Sequence, residues 1–442
     1  VNAAPAATRK LFGTDGVRGV AGDFLTAELS LALARAATAR VEARRVLVIR
    51  DTRESGEMLE AAVAAGIAAG GGDALLGGVL PTPGAPLLIG RYGFDLGVVL
   101  SASHNPYQDN GIKFFGGDGY KLSDAVELEI EGMLAAAPVL GVGGGAVARL
   151  GRVRRFHGAL EDYLRALHER FADLDLSGRR VLLDCANGAT YEAAPEIFRR
   201  LGAHVDVMAA SPDGRNINAG CGSTHIESLR RAMSEGRYDA GFAFDGDGDR
   251  LLAVDRTGAV VDGDELIALA AKHLDVGGVA VTVMTNYGFH AAMRAAGIEV
   301  ATTPVGDRYV LAALRERGWA LGGEQSGHII DMGFVPSGDG IASALLAMEA
   351  LGDGDLHERH AMEKLPQKLV NVKVRDRGAL EGAVGVHAAV EQESAALEGR
   401  GRVLLRPSGT EPLVRVMVEA PTVEEAESVC SRLVALVESE LT

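Results

Sequence analysis

Three aspartates alternate with glycines in Asp245-Gly246-Asp247-Gly248-Asp249-Arg250. Carboxylates at every second position, separated by residues that let the backbone turn sharply, can converge their oxygens on one hard cation. An EF-hand loop begins with a similar alternation, but it needs Gly where Arg250 stands and a bidentate Glu where Arg256 stands, so calcium sensing is excluded. Three Asp with no His or Cys favour Mg²⁺, the cation of phosphate chemistry. The plainer alternative is a solvated acidic turn between two strands. A second segment, Ser101-Ala102-Ser103-His104-Asn105-Pro106-Tyr107-Gln108-Asp109-Asn110-Gly111-Ile112-Lys113, gathers small polar residues, a His and a Lys. Ser103 beside His104 is a candidate nucleophile; a capping loop is the alternative, and no G-x-S-x-G elbow is present. Phosphoryl transfer to and from Ser103 requires a cation beside it and positive side chains around it, and both are offered.

Four further segments carry polar chemistry. Arg406-Pro407-Ser408-Gly409-Thr410-Glu411-Pro412, with Arg415 following, combines guanidinium, hydroxyls and freed backbone N–H groups into a phosphate cradle, unless it is only a Pro- and Gly-rich hairpin turn. In Gly322-Gly323-Glu324-Gln325-Ser326-Gly327-His328, Glu324 and Ser326 alternate as on a strand, so both can face one pocket and bind neighbouring sugar hydroxyls. His328 either relays a proton or is a satisfied histidine in the wall. Phe12-Gly13-Thr14-Asp15-Gly16-Val17-Arg18-Gly19 holds Arg18 in a glycine-rich turn, and Val305-Gly306-Asp307-Arg308 adds one more cation.

Elements that position these loops are legible from periodicity. Short apolar runs at 46–49, 96–100, 181–183, 240–244 and 279–283 read as strands buried on both faces, and Ala-rich stretches at 28–44, 58–69, 288–296 and 310–316 as helices between them. Their alternation predicts parallel, doubly wound layers. Breaks are expected at 135–145, at 255–263 and at 363–370, giving domains 1–152, 153–256, 257–368 and 369–442. Gly141, Gly143 and Ala146 satisfy a G-x-G-x-x-A spelling, but no convincing helix follows, so a connector is expected. The last domain reads strand (370–374), helix (383–396), two strands (402–406 and 413–419) and helix (423–439).

The 442 residues suffice for several cores, and 47% hydrophobic with 24% charged residues excludes a disordered chain. A net charge of −16 repels nucleic acid and anionic membranes, so an anionic substrate needs a local positive pocket. Three cysteines, Cys185, Cys221 and Cys430, are too few and too far apart for a disulfide framework, which fits a reducing cytoplasm. No run of ~18 apolar residues is present to span a bilayer, and residues 1–9 contain no apolar leader, so export is not expected.

In this order along the chain, from Leu11 to the C-terminal region, the loops resemble the α-D-phosphohexomutase superfamily. Asn216-Ile217-Asn218-Ala219-Gly220-Cys221-Gly222-Ser223-Thr224-His225 and the Gly323–His328 loop are similar to its hexosamine branch more than to its phosphomannose branch. The resemblance implies three similar mixed, mostly parallel α/β domains plus a smaller C-terminal α+β domain around a central cleft. It implies interconversion of glucosamine 6-phosphate and glucosamine 1-phosphate through a phosphoserine and a sugar bisphosphate, feeding UDP-N-acetylglucosamine and cell-wall precursors. Ser103 is then the phosphoserine, and its phosphoryl oxygen joins Asp245, Asp247 and Asp249 on Mg²⁺. Arg18, Lys113 and Arg250 surround the transferring group. Glu324 and Ser326 bind sugar hydroxyls with Arg308 nearby, and Arg406, Ser408, Gly409, Thr410 and Arg415 clamp the phosphate that is not reacting. His104, Lys113 and His328 are the candidates for proton handling. The implied cofactors are Mg²⁺ and a sugar bisphosphate activator; the implied partners are a hexosamine phosphate and a second copy in a homodimer, with no nucleic acid and no membrane. One departure stands out: the loop usually written Thr-Thr-Gly-Asp-Gly appears as Pro336-Ser337-Gly338-Asp339-Gly340. The rival readings are a phosphomannomutase or phosphoglucomutase of the same fold, a phosphosugar-binding protein without catalysis, and a hydrolytic phosphatase.

Overall fold

The structure, a computed structural model, describes residues 11–136, 149–407 and 412–441. By chain packing these fall into two compact units: residues up to 283 with 301–359, and residues 284–300 with 360 onward.

The first unit contains three sheets. The six-stranded sheet has strands β1 (Val17–Val20), β2 (Arg45–Arg50), β3 (Asp73–Val79), β4 (Leu96–Leu100), β5 (Asp109–Gly116) and β6 (Val153–Arg155), in the order β1-β5-β4-β2-β3-β6. Its centre is parallel, and Val46, Leu47, Val48 and Ile49 of β2 are wholly buried, as a strand covered by helices on both faces must be. Helices Ala27–Arg40 and Gly56–Ala69 pack closely: a Cβ on Gly66 would lie 2.2 Å from the Leu31 carbonyl oxygen, so only glycine admits this approach. The next sheet has the order β11-β10-β9-β7-β8, from β7 (Arg180–Asp184), β8 (His204–Met208), β9 (Ala240–Phe244), β10 (Leu251–Asp255) and β11 (Val260–Val261). The third has the order β13-β12-β14-β15, from β12 (Gly278–Thr282), β13 (Glu299–Thr303), β14 (Leu321–Gly323) and β15 (Ile329–Asp331).

The apolar runs are strands as expected, yet the sheets are mixed rather than purely parallel. In each of the three a buried strand is followed at once by an antiparallel return: β4 by β5, β9 by β10 and β14 by β15. The segment Ser101 to Lys113, read as one loop, is therefore loop only as far as Gln108, because Asp109-Asn110-Gly111 looks like a turn but opens β5. Helices expected at 288–296 and 310–316 occur as Tyr287–Ala295 and Asp307–Arg317.

The second unit has an antiparallel sheet, β16-β18-β17, from β16 (Gln367–Lys373), β17 (Arg402–Pro407) and β18 (Leu413–Glu419). Helices Val384–Ala396 and Val423–Leu441 cover it, with Val386, Val414, Val416, Val418, Leu433 and Val437 in the core. Helix Tyr287–Ala295 belongs to this unit, where the Asn286 side chain bonds Leu365 through both backbone groups. The Gly141, Gly143 and Ala146 spelling and most of the break expected at 135–145 lie outside the described residues. No helix among the described residues is long and apolar enough to cross a membrane.

Candidate active site

Ser103 stands in the β4–β5 connection, 1% exposed, with its hydroxyl donating to Asp245 Oδ2 (2.6 Å). Its φ is +53°, the left-handed region, which costs a residue with a Cβ ~1–2 kcal/mol and persists only when surroundings over-determine it. Asp245, Asp247 and Asp249 occupy the β9–β10 connection, all buried, with one oxygen of each within 4.8 Å of the others. It is the one such cluster among the described residues. Asp247 Oδ1 and Asp249 Oδ1 are buried without a hydrogen-bond partner. Converging hard oxygens, two of them unsatisfied, fit a divalent cation such as Mg²⁺.

Cations balance this cluster. Lys113, at the centre of β5 and 1% exposed, reaches Asp247 Oδ2 (2.7 Å), Asp15 Oδ2 (3.0 Å) and Asp249 Oδ2 (3.8 Å). Burial would lower the Lys113 pKa, but the three carboxylates outweigh it and hold the ammonium charged far above neutrality. Burial would raise Asp247, but Lys113 and the Thr82 hydroxyl (2.7 Å) pull it below the usual carboxylate range. Asp245 goes the other way: burial, then Asp249 and Asp247, push it well up. Arg18 bonds Asp15 and reaches the Ala102 carbonyl (3.4 Å), while Arg250 Nε faces Asp249 (3.8 Å).

A cavity of ≈ 440 Å³ opens beside these groups, lined by Arg18, His104, Asp249, Arg250, Glu324 and His328 among others. Its size suits a sugar phosphate. The two histidines differ. Burial, then Arg250 and Arg18, lower the His104 pKa, and its Nδ1 lies 3.2 Å from Ser103 Oγ. Burial would lower His328 as well, but Asp249, Asp307 and Glu324 outweigh it and raise it. His328 Nε2 accepts the Gly338 N–H (3.1 Å), so taking up a proton there means giving up that bond.

Family profiles match the chain four times: phosphoglucomutase/phosphomannomutase alpha/beta/alpha domain I over residues 9–138, domain II over 161–258, domain III over 262–369, and the C-terminal domain over 369–436. The chain belongs to the phosphoglucomutase/phosphomannomutase family. Relatives include a phosphoglucosamine mutase of Deinococcus deserti, 48% identical with 98% of each chain covered. Another, from Mycobacterium bovis, is 50% identical over 97% of this chain and 98% of its own. Solved structures agree in fold: a phosphoglucomutase/phosphomannomutase family protein from Burkholderia thailandensis has TM-score 0.82 at 22% identity, covering 97% of both chains. An Aspergillus fumigatus N-acetylphosphoglucosamine mutase, solved with GlcNAc-6P and magnesium, has TM-score 0.71 at 18% identity, covering 100% of this chain and 97% of that one.

In this family member the sequence-derived set falls into three groups. Ser103, His104, Arg18, Lys113, Arg250, the three aspartates, Glu324 and His328 come together. Ser326 and Arg308 are placed differently from the reading of their types. The backbone turns after Gly323 instead of continuing as a strand, so Glu324 is buried, accepting the Gly306 N–H (3.0 Å), while Ser326 is exposed at the turn. Arg308 pairs with Asp124 (2.6 Å) and Glu127 (3.9 Å) and lines a neighbouring cavity of ≈ 370 Å³. In the C-terminal unit Arg406 and Arg415 stand directly opposite each other on β17 and β18. Burial and the Arg415 charge lower the Arg406 pKa, and among the described residues Arg415 Nε is buried without a partner. Ser408, Gly409 and Thr410 lie outside the described residues.

Around the cation-balanced aspartates, three residues were not singled out from sequence. Asp15 takes three cations, Lys113, Lys121 and Arg18. Lys121 joins Asp15 to Asp307 (2.6 Å), and Thr82 donates to Asp247. Asp15 had a signal, three residues before Arg18 in a glycine-rich turn; Lys121 and Thr82 had none.

Proposed function

We propose that the chain is a phosphoglucosamine mutase that interconverts glucosamine 6-phosphate and glucosamine 1-phosphate through phosphorylated Ser103 and a bisphosphorylated hexosamine. The carrying observation is the Ser103 hydroxyl, buried against Asp245 at the edge of a three-carboxylate cluster that faces a sugar-sized cavity. The hexosamine assignment is supported by relatives of that name at about half identity over nearly the whole chain.

In this reading Asp245, Asp247 and Asp249 would hold Mg²⁺ beside Ser103, where the ion would supply positive charge to the transferring group. The P–O bond to Ser103 breaks as one forms to the free sugar hydroxyl, whose proton goes to a residue of the wall. The reverse step, from the opposite end of the reoriented bisphosphate, restores phosphoserine and returns a proton to the vacated oxygen. Lys113, kept charged by three carboxylates, suits charge stabilisation rather than proton exchange. His104 and His328 line the cavity and can hold the proton. Arg18 and Arg250 orient the phosphoryl oxygens, and Glu324 accepts sugar hydroxyls. Arg406 and Arg415 are the phosphate-binding residues of the C-terminal unit: two arginines facing each other, with no carboxylate paired to them among the described residues, are unfavourable until an anion joins them. Ser408, Gly409 and Thr410 complete that cradle, and Ser326, on its exposed turn, and Arg308, at the start of helix Asp307–Arg317, are assigned to the sugar. The domain limits 1–152, 153–256, 257–368 and 369–442, a homodimer and a cytoplasmic location belong to the same reading.

The decisive experiment feeds ³²P-labelled glucosamine 6-phosphate to the purified chain with Mg²⁺ and a sugar bisphosphate primer. Label should appear on Ser103 and in glucosamine 1-phosphate, and Ser103→Ala should abolish both while retaining substrate binding. Turnover with no label on the protein would sink the phosphoserine route; inorganic phosphate as the main product would make the chain a phosphatase. Comparing kcat/KM on glucosamine, mannose and glucose 6-phosphates decides the sugar.

A further inference from the structure

Arg53 is 1% exposed, and its five guanidinium N–H donors all have partners close to hand. Nε donates to Asp51 Oδ2 (2.8 Å); Nη1 donates to the carbonyls of Pro106 (2.5 Å) and Asp109 (2.8 Å); Nη2 donates to those of Ser103 (2.8 Å) and Asn105 (2.9 Å). No donor remains for a phosphate or a sugar. From the second sheet's side, Asn218 Nδ2 reaches the same Ser103 and Asn105 carbonyls at 2.9 and 3.2 Å. On the other flank the Ser103 N–H donates to Ser101 Oγ (2.9 Å), whose hydroxyl donates to Asp51 Oδ2 (2.6 Å). The metal loop closes the remaining space: a Cβ on Gly246 would stand 2.5 Å from the Ser103 carbonyl oxygen and 2.8 Å from Asn218 Nδ2.

We propose that Arg53 and Asn218 are positioning residues that lock the peptide after Ser103 in its left-handed conformation, keeping Oγ on the aspartate cluster through each gain and loss of phosphate. The proposal rests on the role given to Ser103 under Proposed function. Without the clamp only the N–H bond to Ser101 Oγ would remain against the cost of φ +53°, and relaxation to ordinary extended backbone would swing Oγ away from Asp245. The load also changes: phosphorylation alters the charge at Ser103 by roughly two units each half-cycle, so the anchor must not depend on the side chain's own contacts. A planar guanidinium neutralised by Asp51 meets several carbonyls at once; a lysine ammonium, with three donors on a point charge, cannot.

The test uses full-length Arg53→Lys, Asn218→Ala and Ser103→Ala with Mg²⁺, glucosamine 6-phosphate and glucose 1,6-bisphosphate as primer. A nucleophile displaced by about 1 Å predicts a kcat roughly 100-fold lower for Arg53→Lys and about 10-fold lower for Asn218→Ala, with KM within about 3-fold of the parent. The ³¹P resonance of the phosphoserine should shift in both. Unchanged kcat per folded molecule and an unchanged resonance would overturn the clamp. Should Arg53→Lys fail to fold, Asn218→Ala, which removes the two amide N–H donors and no charge, decides by the same two readouts. An active Ser103→Ala that takes up no label would instead remove the nucleophile, and the clamp with it. An inactive Ser103→Ala beside two normal variants rejects the clamp alone.

Discussion

Asp15 is the anion on which the cations of the site converge, and its electrostatics make it separable from the aspartates that would hold metal. Burial would raise its pKa, but Lys113, Lys121 and Arg18 together hold it well below the ordinary carboxylate range. A folded pKa below the unfolded one means stability present above about pH 4 and lost as pH falls through the folded value. Asp15→Asn should therefore lower stability at neutral pH and flatten the decline in acid below about pH 4, read as melting temperature against pH. Removing one partner of a buried pair costs ~3–5 kcal/mol, and Asp15, with its side chain 20% exposed, belongs at the lower end. A neutral-pH melting temperature unchanged by the substitution would show that Lys113 and Lys121 find their balance in Asp247 and Asp307 alone.

At the scale of elements, one device recurs: a buried strand, a short polar connection, an antiparallel return. The connections β4–β5, β9–β10 and β14–β15 carry Ser103, the aspartates and Glu324 respectively, so each chemical group is anchored at both ends by ladder hydrogen bonds. The altered Pro336-Ser337 loop leaves intact the contacts of its second half. Gly340 N–H donates to the Gly248 carbonyl (2.9 Å), and Asp339 N-caps helix Gly340–Leu351 through the Ala342 N–H (2.9 Å) while accepting the Tyr163 hydroxyl. Burial, only partly offset by the Ala342 N–H and Tyr163, pushes Asp339 up to about 6. Here the sign reverses: below about pH 4 both states hold the proton, and between about pH 4 and 6 only the folded state does, so stability falls as pH rises. The total is on the order of 3 kcal/mol. Asp339→Asn, an equally good cap, should erase that slope in urea titrations and be at least as stable as the parent at pH 7.

For the whole molecule, the boundary that matters is not contiguous in sequence. The C-terminal unit includes residues 284–300, held by Glu419, which is fully buried and accepts from Arg402 Nε (2.7 Å) and the Tyr287 N–H (2.8 Å). Glu419→Ala would leave Arg402 in a partly buried site without this carboxylate, a loss of ~3–5 kcal/mol. Calorimetry should show the unfolding of the C-terminal unit moved to lower temperature, with Glu419→Gln intermediate because an amide oxygen still accepts one donor. A fragment beginning at residue 360 lacks the Tyr287 donor and should melt below the same unit in the intact chain.

The apolar runs, the Asp245 to Asp249 alternation and the Ser103 connection were legible in the sequence, because periodicity and local spacing are properties of neighbouring residues. Return strands were harder: β5 opens on Asp-Asn-Gly, which has turn chemistry, and β15 has only three residues. What a linear reading could not contain is partnership. Arg308 looks like a free cation until Asp124 is found beside it, and Arg53 and Asp15 look ordinary until the chain brings carbonyls and lysines around them. Residue type sets what a group can do; burial and long-range neighbours, which decide its charge, its remaining donors and its direction, exist only once the chain has folded.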